Sequence, residues 1–464
     1  MWKRSAGKWL AVPVLGTLLV VVTAGRDHFR VPLVGPAALQ KALSAPDSMV
    51  HFEDDAIRFL EDRLRKRGGS DPLARIRLCD LYLSRFKVSG RLEDLRSSRI
   101  HLDSLLASDS TNGSFHSRLA VLHLACHRFQ EALLAAHQAE RLSGRDEGGD
   151  AALTLFDALF AAGQYEEAKR RLDRLRSRRP LSFAVLTRRA RLLEQAGDIE
   201  EAGILMEKAW KDAVAFSSPP PTLAWCLVES GGYEARLGNG RDALAKYLKA
   251  LETVPGYPPA LEGMARLAQA LDENPDAARQ LYRECIRRGG PPALMLEVMN
   301  LERKAGRAGE AEEWKSRFLA EAGRTPETER LFYRPLVRLH LESHDSRSRA
   351  VRYAWLDAED RPTAESQDLL AWALYQNGSI AASYEVSRKA LAWGSWNPEI
   401  LYHASLISWH ADKKKEAERL LSRSLEIMRS REKDSGKSSQ PLMAAWKNPN
   451  LVPGAVFLLY AHSH

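Results

Sequence analysis

The chain has little cysteine and no motif of a known catalytic kind. Its 464 residues include four cysteines, Cys79, Cys126, Cys226 and Cys285. Their separations fit neither a zinc site nor a redox pair, so they read as small core residues and not as disulfide partners. A glycine-rich phosphate loop, a nucleophile elbow and a metalloprotease helix motif are all missing. Those absences remove the usual grounds for nucleotide hydrolysis, serine-type acyl transfer and zinc proteolysis. His123, Cys126 and His127 come nearest to a ligand set, since the two histidines share a helix face. Cys126 lies to one side and no second ligand pair follows, so no metal and no cofactor is expected. Charge of one sign is also scarce. Against 68 Lys+Arg stand 60 Asp+Glu, a formal net charge of +8. Basic runs such as Arg63-Leu64-Arg65-Lys66-Arg67 and Lys169-Arg170-Arg171 are offset by acids elsewhere. They read as solvated helix faces, and no nucleic-acid partner is expected.

Long apolar runs are confined to the N-terminus. Residues 1–8 are a basic n-region carrying Lys3, Arg4 and Lys8. Residues 9–25, from Trp9 to Gly25, are uncharged and apolar. This run exceeds a signal-peptide core of roughly 7–15 residues and falls slightly short of the roughly 20 that span a bilayer. An uncleaved transmembrane anchor is the first expectation, with a cleaved signal peptide, cut near Val22-Thr23-Ala24, as the alternative. Basic charge is denser before the run, which favours a cytoplasmic N-terminus with the rest exported. In a bacterium the protein would be single-pass in the inner membrane with its bulk in the periplasm, or secreted if the segment is cleaved. Residues 26–50, with Pro32, Gly35, Pro36 and Pro46, read as a stalk.

What fills the remainder is a repeat. Ala132, Ala168, Ala202, Ala243, Ala278, Ala311, Ala350, Ser383 and Ala417 recur at steps of 33 to 41 residues. Length alone would suggest about three globular domains, but a helix-pair repeat grows by stacking and needs no single core. The clearest unit runs from Asp150 to Pro180. Leu153, Leu155, Phe156, Leu159 and Phe160 mark one helix, and Gly163 the turn. Tyr165 and Glu166-Glu167-Ala168 open the second helix, and Pro180 ends it. The same grammar returns at Gly197–Ala202, Gly238–Ala243, Asn377–Ser383 and Glu416-Ala417. The long step between Ala202 and Ala243 is expected to hold an inserted loop at Ser217-Ser218-Pro219-Pro220-Pro221. Pro275 is expected in a turn, and Pro335 should kink a first helix within the degenerate stretch from about 311 to 365.

This pattern of a turn glycine, a following aromatic, an alanine in the second helix and a closing proline resembles the tetratricopeptide repeat. The resemblance implies an all-α, right-handed superhelical solenoid of about nine to ten antiparallel helix pairs over residues 51–430. Residues 431–464 would add a polar linker and an apolar C-terminal cap with Trp446, Phe457, Leu458, Leu459 and Tyr460. In that family the first helix of each pair lines the concave side. Mapping it here directs Asp157, Phe160, Arg191, Glu194, Trp225, Val228, Arg236, Glu262, Arg266, Trp372 and Tyr375 toward the groove. Mixed charge with aromatic anchors suits a protein or peptide partner. The family's carboxylate-clamp role is not carried over, because the asparagines it needs are missing beside Arg191 and Arg266. The expected function is therefore a non-enzymatic, membrane-tethered protein-binding scaffold. The alternative is an envelope assembly or secretion factor that binds glycan or cell-wall enzymes, its aromatic rings stacking on sugars.

Overall fold

Turn chemistry divides the chain into helices. The computed structural model describes residues 32–44, 49–144, 149–178, 182–270, 274–394 and 397–435. These hold 23 α-helices and one short 3-10 turn, His344–Ser346. Two helices precede the repeats, α1 (Pro36–Leu43) and α2 (Met49–Lys66). Pairs then follow in order: α3 (Pro72–Ser89) with α4 (Leu92–Ser108), α5 (Gly113–Ala125) with α6 (Phe129–Leu142), and α7 (Asp150–Ala161) with α8 (Tyr165–Arg178). Next come α9 (Phe183–Ala196) with α10 (Ile199–Ala215), α11 (Pro220–Arg236) with α12 (Gly240–Thr253), and α13 (Pro258–Ala270) with α14 (Pro275–Arg287). The seventh pair is α15 (Leu294–Lys304) with α16 (Ala308–Ala322). The eighth has a broken first member, α17 (Pro326–Leu331) and α18 (Tyr333–Leu341), packed on α19 (Arg347–Asp360). Pairs nine and ten are α20 (Ala364–Gln376) with α21 (Ile380–Ala392) and α22 (Pro398–His410) with α23 (Lys414–Ser435).

Capping explains many of these starts. Asp71 accepts from the Ala74 amide ahead of α3, with Pro72 in the first turn. Asp198, Asn274, Thr363 and Asn397 cap their helices in the same way. Such a cap stabilises a helix by about 1 kcal/mol. Between the two helices of most pairs the chain reverses through a left-handed residue, Gly163 at φ 77° for example. His127 and Asp412 hold that position in the second and tenth pairs at φ 53° and 60°.

The periodic small residues sit where second helices press on their neighbours. Ala132, Ala168, Ala202, Ala243, Ala278, Ala350, Ser383 and Ala417 are completely enclosed, and Ala311 is nearly so. Ser383 stands in for alanine because its hydroxyl donates to the Ala371 carbonyl at 2.7 Å. Cys79, Cys226 and Cys285 are buried in the same core, and burial pushes the Cys79 and Cys226 thiols up to about 12.

Several sequence expectations need correction. The long step after Ala202 holds no inserted loop. α10 and α11 are each 17 residues long and absorb the extra length, and Pro220 and Pro221 form the first turn of α11. Proline is tolerated there because its missing N–H has no intrahelical partner. Pro275 opens α14 for the same reason and does not lie in a turn. Pro335 does not kink a continuous helix; the helix breaks at Phe332 and Pro335 falls in the first turn of α18. Residues 36–43 of the expected stalk are helical. Val34 and Ala42 are buried, α1 packs on α12 and α14, and Lys41 Nζ bonds Glu252 at 2.6 Å. Helix α23 runs on to Ser435, into the stretch read as a polar linker. The expected n-region and membrane segment, residues 1–25, and the tail beyond 435 lie outside the described residues. Among the described residues no helix is long and apolar enough to cross a membrane.

First helices of neighbouring pairs touch: α3 on α5, α5 on α7, α11 on α13, α18 on α20 and α20 on α22. Among the described residues no comparable packing joins successive second helices. The stack therefore curves with its first helices inside. It curves tightly enough to meet itself. First helix α13 of the sixth pair packs on α3 of the first, and Arg324, after the seventh pair, bonds Glu93 from 231 residues away. Arg361, after the eighth, lies 4.8 Å over the Phe129 ring. Trp393, after the ninth, meets Tyr165. Turns inside the early pairs thus rest on connections between the late ones. Gly163 allows this approach, since a Cβ there would lie 3.1 Å from the Pro362 carbonyl oxygen.

Candidate functional site: the concave face

All eleven residues assigned to the groove from sequence lie on first helices: α7, α9, α11, α13 and α20. Most of them join into rungs that bridge neighbouring pairs. On α7, Asp157 accepts from Arg188 at 2.5 Å and from Arg191 at 3.2 Å, both on α9. The Arg191 guanidinium also lies 4.5 Å over the Phe160 ring. On α9, Glu194 accepts from Tyr233 at 3.1 Å and from Arg236 at 2.5 Å, both on α11. Glu262 and Arg266 pair within α13 at 2.7 Å. Trp225 meets the edge of Phe183, and Val228 packs on the core of the fifth and sixth pairs.

The far end of the face differs. Trp372 stacks on His403 at 4.1 Å and on Tyr375 at 5.2 Å. His403 is buried and bonds Asp368 at 2.9 Å. Burial alone would discharge His403, but the adjoining Asp368 carboxylate prevails and its pKa is raised. Tyr375 shares a 2.8 Å hydrogen bond with His410. Trp372 and Tyr375 are thus largely spoken for by the tenth pair, and less ring face remains for a ligand.

Accessibility separates the candidates. Arg266 keeps 59% of its side chain exposed and Arg236 keeps 46%, whereas Asp157 keeps 26% and Glu262 23%. The two arginines are the better-placed contacts.

Glu229 was missed from sequence. It lies on α11 one turn from both Trp225 and Tyr233, and the four-residue spacing of those three is the signal that would have found it. Trp225 hydrogen-bonds it, and Arg191 is its cationic neighbour. Burial, with the Glu194 charge adding to it, pushes the Glu229 carboxyl up to about 7. Arg188, Tyr233, His403 and His410 were also missed, because each acts across the gap between two pairs.

The His123–Cys126–His127 run does not form a ligand set. His127 takes the left-handed turn and stacks on Phe129 at 5.4 Å. Among the described residues no group of three His, Cys, Asp or Glu could hold a metal ion.

No protein-family model and no curated protein matches this chain. Among solved structures it is similar to tetratricopeptide-repeat proteins. One is PilW, a type IV pilus biogenesis factor, at 18% identity over 47% of this chain and 98% of that one, with a TM-score of 0.37. Another is PilF of Pseudomonas aeruginosa, at 16% identity over 48% and 97%, with a TM-score of 0.36. A third is the human IFIT1 dimer with m7Gppp-AAAA, at 14% identity over 81% and 86%, with a TM-score of 0.44. The likeness lies in the all-helical repeat.

Proposed function

We propose that this protein is a non-enzymatic scaffold that binds other proteins or peptides along its concave face, held at a membrane by residues 9–25. The observation that supports the reading is the contact between first helices, such as α11, with Trp225, Glu229 and Arg236, against α13, with Arg266. Charged and aromatic anchors from several pairs add their contributions there, and stacking of neighbours fixes the curvature that spaces them. The periplasmic side of a bacterial inner membrane is the proposed location, on the charge asymmetry flanking residues 9–25.

The sugar-binding alternative is less well supported. The Trp372 ring is sandwiched by His403 and Tyr375, and Phe160 lies between Phe156, Tyr165 and Arg191.

Capture of partners by the full chain from detergent-solubilised membranes tests the proposal. Arg236→Glu combined with Arg266→Glu should abolish retention of specific proteins while the helical spectrum is unchanged. Retention indifferent to both changes would count against the groove. Protease protection in intact and permeabilised cells reads the topology separately.

A further inference from the structure

One groove on the outer side of the coil is filled by the chain itself. Among the described residues, second helices α12 and α14 have no packing on each other comparable to that within a pair, and α1 lies against both. Val34 and Ala42 are buried there, and Ala38, Leu39 and Leu43 pack on the apolar cluster of the fifth and sixth pairs.

Between second helices α19 and α21 the corresponding gap is open. A cavity of about 590 Å³ lies there, lined by Val351 and Trp355 of α19, Leu370 and Leu374 of α20, and Val386 of α21. Trp355 is 53% exposed, whereas Leu370 beside it is buried. The charged lining residues Arg352, Glu359 and Lys389 are all exposed and form the rim. An apolar floor with a half-exposed indole at its edge is a surface that an apolar segment covers. Not every outer groove has this character. The one between α10 and α12 is lined by Glu200, Glu207, Lys208, Lys211 and Lys246.

The chain holds a segment that suits the open groove. Val34-Gly35-Pro36-Ala37 leads into the apolar residues of α1. Val452-Pro453-Gly454-Ala455 leads in the same way into Val456-Phe457-Leu458-Leu459, and no charged residue falls between Val452 and Ala461. Residues 436–451, sixteen in all, connect that segment to α23. Their reach is sufficient. α21 is two helix contacts from α23, roughly 16–20 Å sideways. The 22 residues of α23 span about 33 Å along its axis. Sixteen extended residues reach roughly 50 Å, which covers the diagonal of the two.

We propose that residues 452–461 dock within the same molecule in the outer groove between α19 and α21, against Trp355, Leu370 and Leu374, as α1 docks between α12 and α14. The coil then carries two straps on its outer side, each bridging two second helices that lack direct packing. This is independent of what the concave face binds.

Site-specific photocrosslinking in cells that express the full chain tests the docking. With p-benzoylphenylalanine in place of Trp355, irradiation should join that position to a peptide within 452–461, read by mass spectrometry of the monomer band. The same photoprobe in place of Phe216, at a site 78% exposed, should not capture that segment. Phe457→Asp with Leu458→Asp leaves the described helices untouched. It should lower the crosslink from position 355 on the order of tenfold or more, because a carboxylate is not buried without a partner. The photoprobe in place of Phe457 reads the contact from the other side and should capture Val351, Leu370 or Leu374. Crosslinks between two chains, with a yield that rises with expression level, would assign the groove to a second copy. Crosslinks from position 355 to a different protein would assign it to a partner. Either result overturns the docking, as does capture of no tail peptide or equal capture from position 216.

Discussion

Tyr165 and Trp393 meet edge to face, with ring centroids 5.7 Å apart, although one belongs to the third helix pair and the other ends the ninth. That contact, with Arg324 on Glu93 and Arg361 over Phe129, makes the solenoid a coil that closes on itself. Burial raises the Tyr165 hydroxyl pKa, as expected for a ring held in a protein-filled seam.

Opening that seam should change shape before it changes helicity. An aromatic pair stabilises by about 0.5–1.5 kcal/mol beyond its buried area. Trp393→Ala with Arg324→Glu removes the pair and sets like charges against Glu93. Small-angle scattering should show a larger radius of gyration at unchanged helical circular dichroism. An unaltered radius would mean that the seam is held elsewhere.

Glu302 anchors a second kind of join. It is fully enclosed and accepts from Arg283 at 2.6 Å and Arg307 at 2.5 Å, with Arg279 at 3.6 Å. Glu302→Gln keeps the volume and deletes the charge that three arginines share, while Arg279 retains Asp276 and Arg283 and Arg307 retain Glu310. Breaking such a pair costs about 3–5 kcal/mol when both partners are buried, and roughly half that is expected here because Arg283 and Arg307 reach solvent. Denaturant titration of the variant reads the loss.

Gly263 sets two effects against each other. Alanine would improve the propensity of α13 by about 1 kcal/mol. A Cβ there would lie 2.5 Å from the Tyr247 ring, which is buried and also wedged against Gly231. Overpacking of this kind costs about 1–3 kcal/mol, so Gly263→Ala should be destabilising on balance. A raised melting temperature would refute the tight fit of that ring.

Acid should weaken the coil through His127. Burial, with Arg361 second, pushes its pKa down to about 4. Between an ordinary value near 6.5 and 4 the unfolded chain binds a proton that the folded chain refuses, so stability falls as pH drops through that window. His403 acts in the opposite sense. Its raised pKa gives stability that is complete below the ordinary value and is lost as pH rises through the folded one. Asparagine tolerates the left-handed backbone of residue 127, so His127→Asn should flatten the acid side of the melting-temperature profile and leave the alkaline side alone. An unchanged acid limb would assign the proton uptake to another group.

Much of the architecture was legible because its causes are local. Ala132 through Ala417 recur where a second helix must approach its neighbour closely, and a small side chain is the physical requirement at each. Turn residues such as Gly163 and caps such as Asp71 and Asp198 act over one helix turn, so their spacing alone marks helix ends. The placement of the eleven groove candidates on first helices followed from the same register. The rungs from Asp157 to Arg188 and from Trp372 to His403 were not legible, because each depends on the angle between successive pairs.

Sequence by itself determined that helix pairs would form, where many of them would begin, and which small residues would lie between them, since propensity, capping and apolar period act within a few turns of chain. Tertiary structure alone decided that Lys41 reaches Glu252 and that Tyr165 reaches Trp393. Those contacts follow from curvature accumulated over many pairs. A small angle at each interface, unreadable in any one repeat, adds up until the coil meets its own earlier turn.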